Sequence, residues 1–339
     1  MKILLSVIIL FLSTSIGISQ NAVFLHHSTG ANVYSEGDVS GFINNYNTEN
    51  GTDIQITERS YPNTPYPWQN YPYDYWNLWI NNECNNNSSG IECLESLAAS
   101  FDIIIWKHCF PGAGIKDGGA EGNINSSNKT IANYKLQYQA LRDKMDELPN
   151  THFIVWTLAP LHRLATNEED AARAGEFVDW VKNQWLYEDS NDHLNIHIFD
   201  FFGIVAQTEE NPDHGFQYSM KYDFERSHEN SDSHPNTVAN ETAGPLFAQF
   251  IIDVAMDIPL NTGVYDFHIE EPKAFPNPTS GPIYLKRNIP TQSKIIIYNN
   301  FGQKVFEKNN NITELNISEL LPGLYYLKVD NNVFKVIKK

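Results

Sequence analysis

The 339-residue chain predicts an α/β domain followed by a small all-β domain. Three observations carry that expectation. Short apolar runs recur at Val23–Leu25, Phe101–Trp106, Phe153–Thr157 and Leu194–Phe199. The intervening segments place apolar residues at steps of three and four. Beyond residue 273 the pattern becomes alternation broken by closely spaced turn residues. Continuous apolar runs fit strands covered on both faces, and strands alternating with helices give a mostly parallel sheet in a three-layer sandwich.

Taken in order, the first residues are not part of that fold. Lys2 precedes the apolar run Ile3–Leu12, and small and polar residues lead to Gly17-Ile18-Ser19. A basic start, a short apolar core and small residues before a cut describe a secretory signal, residues 1–19, leaving Gln20 first. The run is shorter than the roughly 20 residues that span a bilayer, and no later segment is apolar enough to do so. Export permits disulfides. Cys84 and Cys93 flank a polar loop and are expected to bond, while Cys109, at the end of an apolar run, reads as a lone thiol.

Tyr61, Tyr66, Trp68, Tyr71, Tyr73, Tyr75, Trp76 and Trp79 crowd one stretch that becomes helix-like from about Asp74. Such rings serve equally as a platform that stacks on sugars or as the packed wall of a cleft. Residues 117–129, rich in Gly, Asn and Ser, read as a mobile loop: the rim of a cleft or plain surface. Helical patterns follow at Ile131–Leu148, Glu168–Trp185 and Thr237–Met256.

Charge separates the two domains. Lys273–Lys339 holds ten Lys/Arg and four Asp/Glu, whereas Gln20–Pro272 holds 12 and 37, a net charge of −25. The boundaries expected are 20–260, a linker 261–272, and 273–339. So acidic a domain excludes non-specific nucleic-acid binding, which needs a basic face.

Chemistry in a parallel sheet gathers beyond the carboxyl ends of the strands. The first strand ends in His26-His27-Ser28-Thr29-Gly30, and Ser231-Asp232-Ser233-His234-Pro235-Asn236 precedes the last helix. A serine nucleophile needs a base, usually a histidine held by a carboxylate. His26 and His27 are adjacent, so on a strand they point to opposite faces and only one can enter a given site. With no paired-ligand spacing, neither a metal nor another cofactor is expected. His27 is read as orienting the Ser28 loop or as packed, and is also kept as an oxyanion or substrate-binding candidate.

With HHSTG after the first strand, TLAP (Thr157–Pro160) at a strand end and SHPN before the last helix, residues 22–256 resemble the SGNH, or GDSL-like, hydrolase family. The resemblance implies a secreted esterase in which His234 takes the Ser28 proton, Ser28 attacks an ester carbonyl, and water releases the acyl group. Three departures stand out. The family's acid lies three residues before the histidine, where this chain has Ser231; Asp232 is one residue nearer, Glu229 is a substitute, and a Ser–His dyad is the remaining option. The family's oxyanion asparagine after the central strand is replaced by Trp106–Gly112, so Lys107 and His108 become candidate donors beside the Ser28 backbone N–H. The family's glycine block after the second strand is replaced by Arg59–Asn63, with Asn63 a candidate donor. The aromatic stretch makes a carbohydrate ester a reasonable substrate. The competing class is a non-catalytic, glycan-binding surface protein on the same fold.

In the second domain, alternation at Ile283–Leu285, Lys294–Tyr298, Lys304–Phe306, Leu324–Val329 and Val333–Ile337 predicts a small antiparallel sandwich. The segments Phe275–Gly281, Ile297–Gln303, Leu320–Val329 and the terminal Lys338-Lys339 resemble the type A sorting domain of the type IX secretion system. That resemblance implies the secretion machinery as a partner and a secreted or surface-attached product; a carbohydrate-binding β-module is the alternative.

Overall fold

Alternation within each strand builds the first domain outward from its sheet. In the computed structural model, strand β1 (Ser19–His26) sends Ala22 and Phe24 to one side and Val23 and Leu25 to the other. β3 (Ile103–Trp106) sets Ile103 and Ile105 against Ile104 and Trp106. β4 (His152–Trp156) sets Ile154 and Trp156 against Phe153 and Val155. Successive side chains point to opposite faces, so a strand apolar at every position needs a core on each side. One core is closed by α3 (Pro72–Trp79), α4 (Leu94–Ala98), α5 (Ile131–Asp146) and α6 (Glu168–Asn183). The other is closed by α1 (Ser28–Glu36), α2 (Val39–Asn50), α7 (Phe201–Val205) and α8 (Thr237–Asp257). With β2 (Asp53–Ser60) and β5 (Ile196–Phe199), the strands run parallel in the order β2-β1-β3-β4-β5.

The structure describes residues 19–86, 90–119, 121–189, 191–258, 273–275, 279–286, 294–299, 303–309, 314–329 and 332–339. The expected signal, up to residue 18, and the linker 261–272 lie outside them. The chain divides into two units, Met1–Leu260 and Asn261–Lys339.

Helix starts are written locally. Thr130, Asn167 and Asn236 accept the N–H of Asn133, Asp170 and Ala239, and so cap α5, α6 and α8. Glu168, Glu169 and Asp170 add negative charge to the first turn of α6, where the helix dipole favours it. β2 escapes the apolar-run criterion because it is an edge strand with Ile54 its one buried residue.

The aromatic stretch is packing. Tyr61, Tyr66, Tyr71, Tyr75, Trp76 and Trp79 are buried, and Tyr75 and Trp79 meet Trp106 of β3 at ring distances of 5.0 and 6.0 Å. The sugar-platform alternative therefore loses six of its eight rings to the core, Trp68 and Tyr73 staying partly exposed. Cys84 and Cys93 are disulfide-bonded, which leaves Cys109 free and buried. The loop read as mobile is tied down: Asn123 N–H donates to Asn133 Oδ1, and Gln137 Nε2 donates to the carbonyls of Ile124 and Ser126.

The second unit has two antiparallel sheets. β6 (Lys273–Phe275), β7 (Pro282–Lys286) and β10 (Glu314–Asn316) form one, in the order β10-β7-β6. β8 (Lys294–Asn299), β9 (Lys304–Asn309), β11 (Gly323–Val329) and β12 (Asn332–Lys338) form the other, in the order β12-β11-β8-β9. Ile283 and Leu315 from the first share one core with Ile295, Ile297, Leu327 and Val336 from the second, a small sandwich.

One contact in the first unit couples two helices tightly. α8 crosses the end of α1 backbone to backbone, so that a Cβ on Gly244 would lie 2.4 Å from the Gly37 carbonyl oxygen. Asn240 Nδ2 donates to Glu36 Oε2 at 2.8 Å beside it. Gly244→Ala has no room and must push the helices apart. It is expected to cost about 1–3 kcal/mol, measured as a lower urea midpoint at unchanged m-value.

Candidate active site

The strand order reverses between β1 and β3, because the chain moves outward to β2 and then returns across β1. Crevices open at such a point, beyond the carboxyl ends of the two strands. β1 delivers His27 and Ser28 there, and β3 delivers Lys107, His108 and Cys109.

His27 is the N-cap of α1, with extended backbone. Its ring stacks on Trp68 at 3.5 Å, and its Nε2 donates to the Pro62 carbonyl at 2.6 Å. His27 thus fixes the turn that presents Ser28, and burial draws its pKa down. Ser28, the first residue of α1, is exposed, and its N–H is one of those a helix leaves unused at its start. Asn63, exposed on the neighbouring loop, follows the proline that holds His27.

The Ser28 hydroxyl does not bond to His234 among the described residues. It lies 3.2 Å from Cys109 Sγ, and the Thr29 hydroxyl lies 3.4 Å from the same sulfur. Cys109 is held by its own N–H, which donates to the Asn70 carbonyl at 3.1 Å.

His234 stands on the same rim. Its ring meets Phe110, the residue after Cys109, edge-on at 4.8 Å. Nδ1 is 2.6 Å from Asp232 Oδ1, which also accepts the His234 backbone N–H at 3.0 Å. A carboxylate on Nδ1 places the ring proton there and leaves the Nε2 lone pair free to accept. Partial burial pushes Asp232 up, but the His234 N–H and ring outweigh it and hold the acid below its usual value. The acid one residue nearer than the family spacing therefore reaches the ring by folding back in a tight turn. Glu229 is exposed and makes no contact with the ring among the described residues.

Lys107 and His108 sit beneath the crevice and do not open into it. Alternation sends His108 to the α3–α5 face, where Nε2 meets Tyr138 Oη at 2.9 Å and the ring packs on Tyr75 and Trp106. Lys107 goes to the opposite face, fully buried, with Nζ 5.9 Å from the centre of the Trp156 ring. An oxyanion donor must face the reacting carbonyl, and neither side chain does in this conformation.

A second cluster anchors the His234 loop. Glu225, fully buried, lies 3.1 Å from His162 Nε2, 2.9 Å from His228 Nδ1 and 3.1 Å from Arg163 Nε. His162 N–H donates to Ser233 Oγ at 3.0 Å, next to His234. Cys109, Phe110 and this cluster are the residues that motif reasoning passes over; for the first two the available signal was position, three and four residues beyond a central strand. Among the described residues no group of three or more His, Cys, Asp or Glu could hold a metal ion, and no helix is long and apolar enough to cross a membrane.

Residues 273–339 match the family model of the secretion system C-terminal sorting domain. This tail marks a protein secreted by the type IX system, extracellular or on the cell surface, and implies interaction with that machinery. No curated protein matches the sequence. Among solved structures, a protein of Streptococcus pneumonia provisionally described as a platelet activating factor is similar at 7% identity and a TM-score of 0.36, over 70% of this chain and 86% of that one. A likeness that distant carries no argument about activity.

Glu225→Ala would leave the partly exposed Arg163 and His228 without their carboxylate and open a gap beside the buried His162 ring. Because those partners can turn to water, the loss is that of buried hydrogen bonds and packing, about 1–3 kcal/mol. Chemical denaturation is expected to show a loss of that size, and amide exchange faster protection loss across residues 225–236.

Proposed function

We propose that the first domain is a secreted serine esterase acting through Ser28 and His234, with Asp232 orienting the ring. The observation that carries the reading is the Asp232–His234 pair, with a free Nε2, on the rim where Ser28 stands exposed at the head of α1. Phe110 and Cys109, adjacent in sequence, touch His234 and Ser28 respectively. Proton transfer from Oγ to Nε2 requires the Ser28 hydroxyl to turn from the sulfur toward the imidazole. Catalytic hydrogen bonds are often formed only in the substrate complex.

Oγ then attacks the ester carbonyl, and the imidazolium, stabilised by Asp232, returns its proton to the departing alcohol. Water repeats the cycle on the acyl-enzyme. The Ser28 N–H at the start of α1, and Asn63 on the rim, support an oxyanion-stabilising role, each donor worth about 2.7–4 kcal/mol where it acts. The substrate class is a carboxylic ester. The narrower expectation of an O-acyl group on a carbohydrate rested on exposed rings, and six of the eight are buried, so the proposal does not depend on it.

Hydrolysis of p-nitrophenyl acetate by the full chain tests this. Ser28→Ala and His234→Ala are each expected to lose about 10⁴-fold or more in kcat, and Asp232→Ala to retain roughly 10–100 times the rate of His234→Ala. Equal rates for wild type and Ser28→Ala would overturn the esterase reading and leave a non-catalytic binding protein.

A further inference from the structure

The esterase reading leaves unexplained a fully buried lysine, Lys107, whose Nζ has no hydrogen-bond partner among the described residues. An unpaired buried ammonium costs several kcal/mol, so Lys107 keeps its charge only with an anion beside it. Four imidazoles flank this region. His26 lies beneath Gly30, burial and the Lys107 charge bring its pKa down to about 3, and it pairs with Glu58 as a neutral ring. His27 is engaged by Pro62, His108 is on the other face of the strand, and His234 is engaged by Asp232 across Phe110. None supplies negative charge.

One group on the same side of the chain can. Residues 107 and 109 alternate to the same face beyond β3, and Cys109 Sγ lies 3.2 and 3.4 Å from the Ser28 and Thr29 hydroxyls, close enough to accept from both. The sulfur therefore lies at the N-terminus of α1, nine residues long, where helix N–H groups and dipole favour a negative charge. Gly30 makes the arrangement possible: a Cβ there would sit 3.0 Å from Lys107 Cδ, so the lysine stem passes directly beneath the first turn.

We propose that Cys109 is a thiolate, the counter-charge of Lys107, and a covalent modification site for soft electrophiles lying directly under Ser28. Burial alone would push the thiol up; the Lys107 charge, the two hydroxyls and the Thr29 N–H together bring it below its ordinary value. Burial draws Lys107 down, and the sulfur's charge opposes that. With iodoacetamide the sulfur attacks the carbon bearing iodine, an S–C bond forms, the C–I bond breaks, and iodide leaves with the bonding pair. The adduct would lie against Ser28 Oγ. None of this requires Ser28 to be catalytic.

Because Cys84 and Cys93 are bonded, Cys109 is the single thiol of the chain, and every thiol signal reports on it. The ultraviolet thiolate absorbance of the folded full chain, with Cys109→Ser subtracted, is expected to step at a pH below the value of about 8.5 of a free thiol. In Lys107→Met, of similar length but uncharged, the step is expected to move up by about one unit or more, with labelling by iodoacetamide at neutral pH at least about tenfold slower. Thr29→Val serves if Lys107→Met does not fold, and is expected to shift the step in the same direction. A wild-type step at or above about 8.5, or no carbamidomethyl adduct on Cys109 of the folded protein when the denatured chain labels fully, would overturn the proposal. Ester hydrolysis is not among these readouts, so an inactive enzyme would leave the thiolate test intact.

Discussion

The backbone contact of Gly37 with Gly244 fixes α1 against α8, and the candidate site depends on it. α1 starts at Ser28 and α8 starts three residues past His234. Each helix therefore starts at or just beyond one of the two candidate side chains, with the glycine crossing farther along. A side chain at the crossing would act as a wedge and change the separation of the helix starts. Asn240, bonded to Glu36, holds the same crossing against sliding. A site of this kind needs placement within a fraction of an ångström, and a contact with no side chain in it has little rotamer freedom to lose that placement.

Much of the fold was legible because its strands are apolar at every position. Ile103 through Trp106 can be satisfied only by two cores, and that pattern alone predicts helices on both faces. β2 was harder to see because an edge strand buries little: Ile54 is enclosed while its neighbours face solvent. The aromatic stretch could not be resolved from composition, since Tyr75 and Trp79 have the same sequence signature whether they line a cleft or, as here, enclose Trp106.

The site was legible in part. Ser28 and His234 could be picked from chain order and from their places beside a strand end and a helix start. Asp232 was in doubt because the family spacing is three; two residues suffice when the backbone turns so that one carboxylate oxygen takes both N–H and ring of the same histidine. Lys107 and His108 were chosen for their functional groups, but alternation beyond β3 decides where those groups go, and it turns both into the interior. The same alternation brings Cys109 to Ser28, although a single cysteine carries little information in sequence.

The His234 loop shows how much structure holds the Asp232–His234 pair in place beyond the pair itself. Asn236 caps α8 and also donates to the carbonyls of Asp223 and Glu225. Glu225 in turn gathers His162, Arg163 and His228 from both sides of the crevice loop. Such a buried charge network adds little net stability relative to apolar packing, because desolvation offsets most of the Coulomb attraction. Its effect is on position: the buried Glu225 carboxylate is matched in one geometry, and departing from it leaves that charge unpaired in a low-dielectric interior. The loop is thereby held in one conformation, and the Asp232–His234 pair at its tip meets the crevice without having to be ordered by substrate. Under the proposed esterase reading, Ser28 is then the one member of the trio that still has to turn, since Asp232 and His234 are already paired.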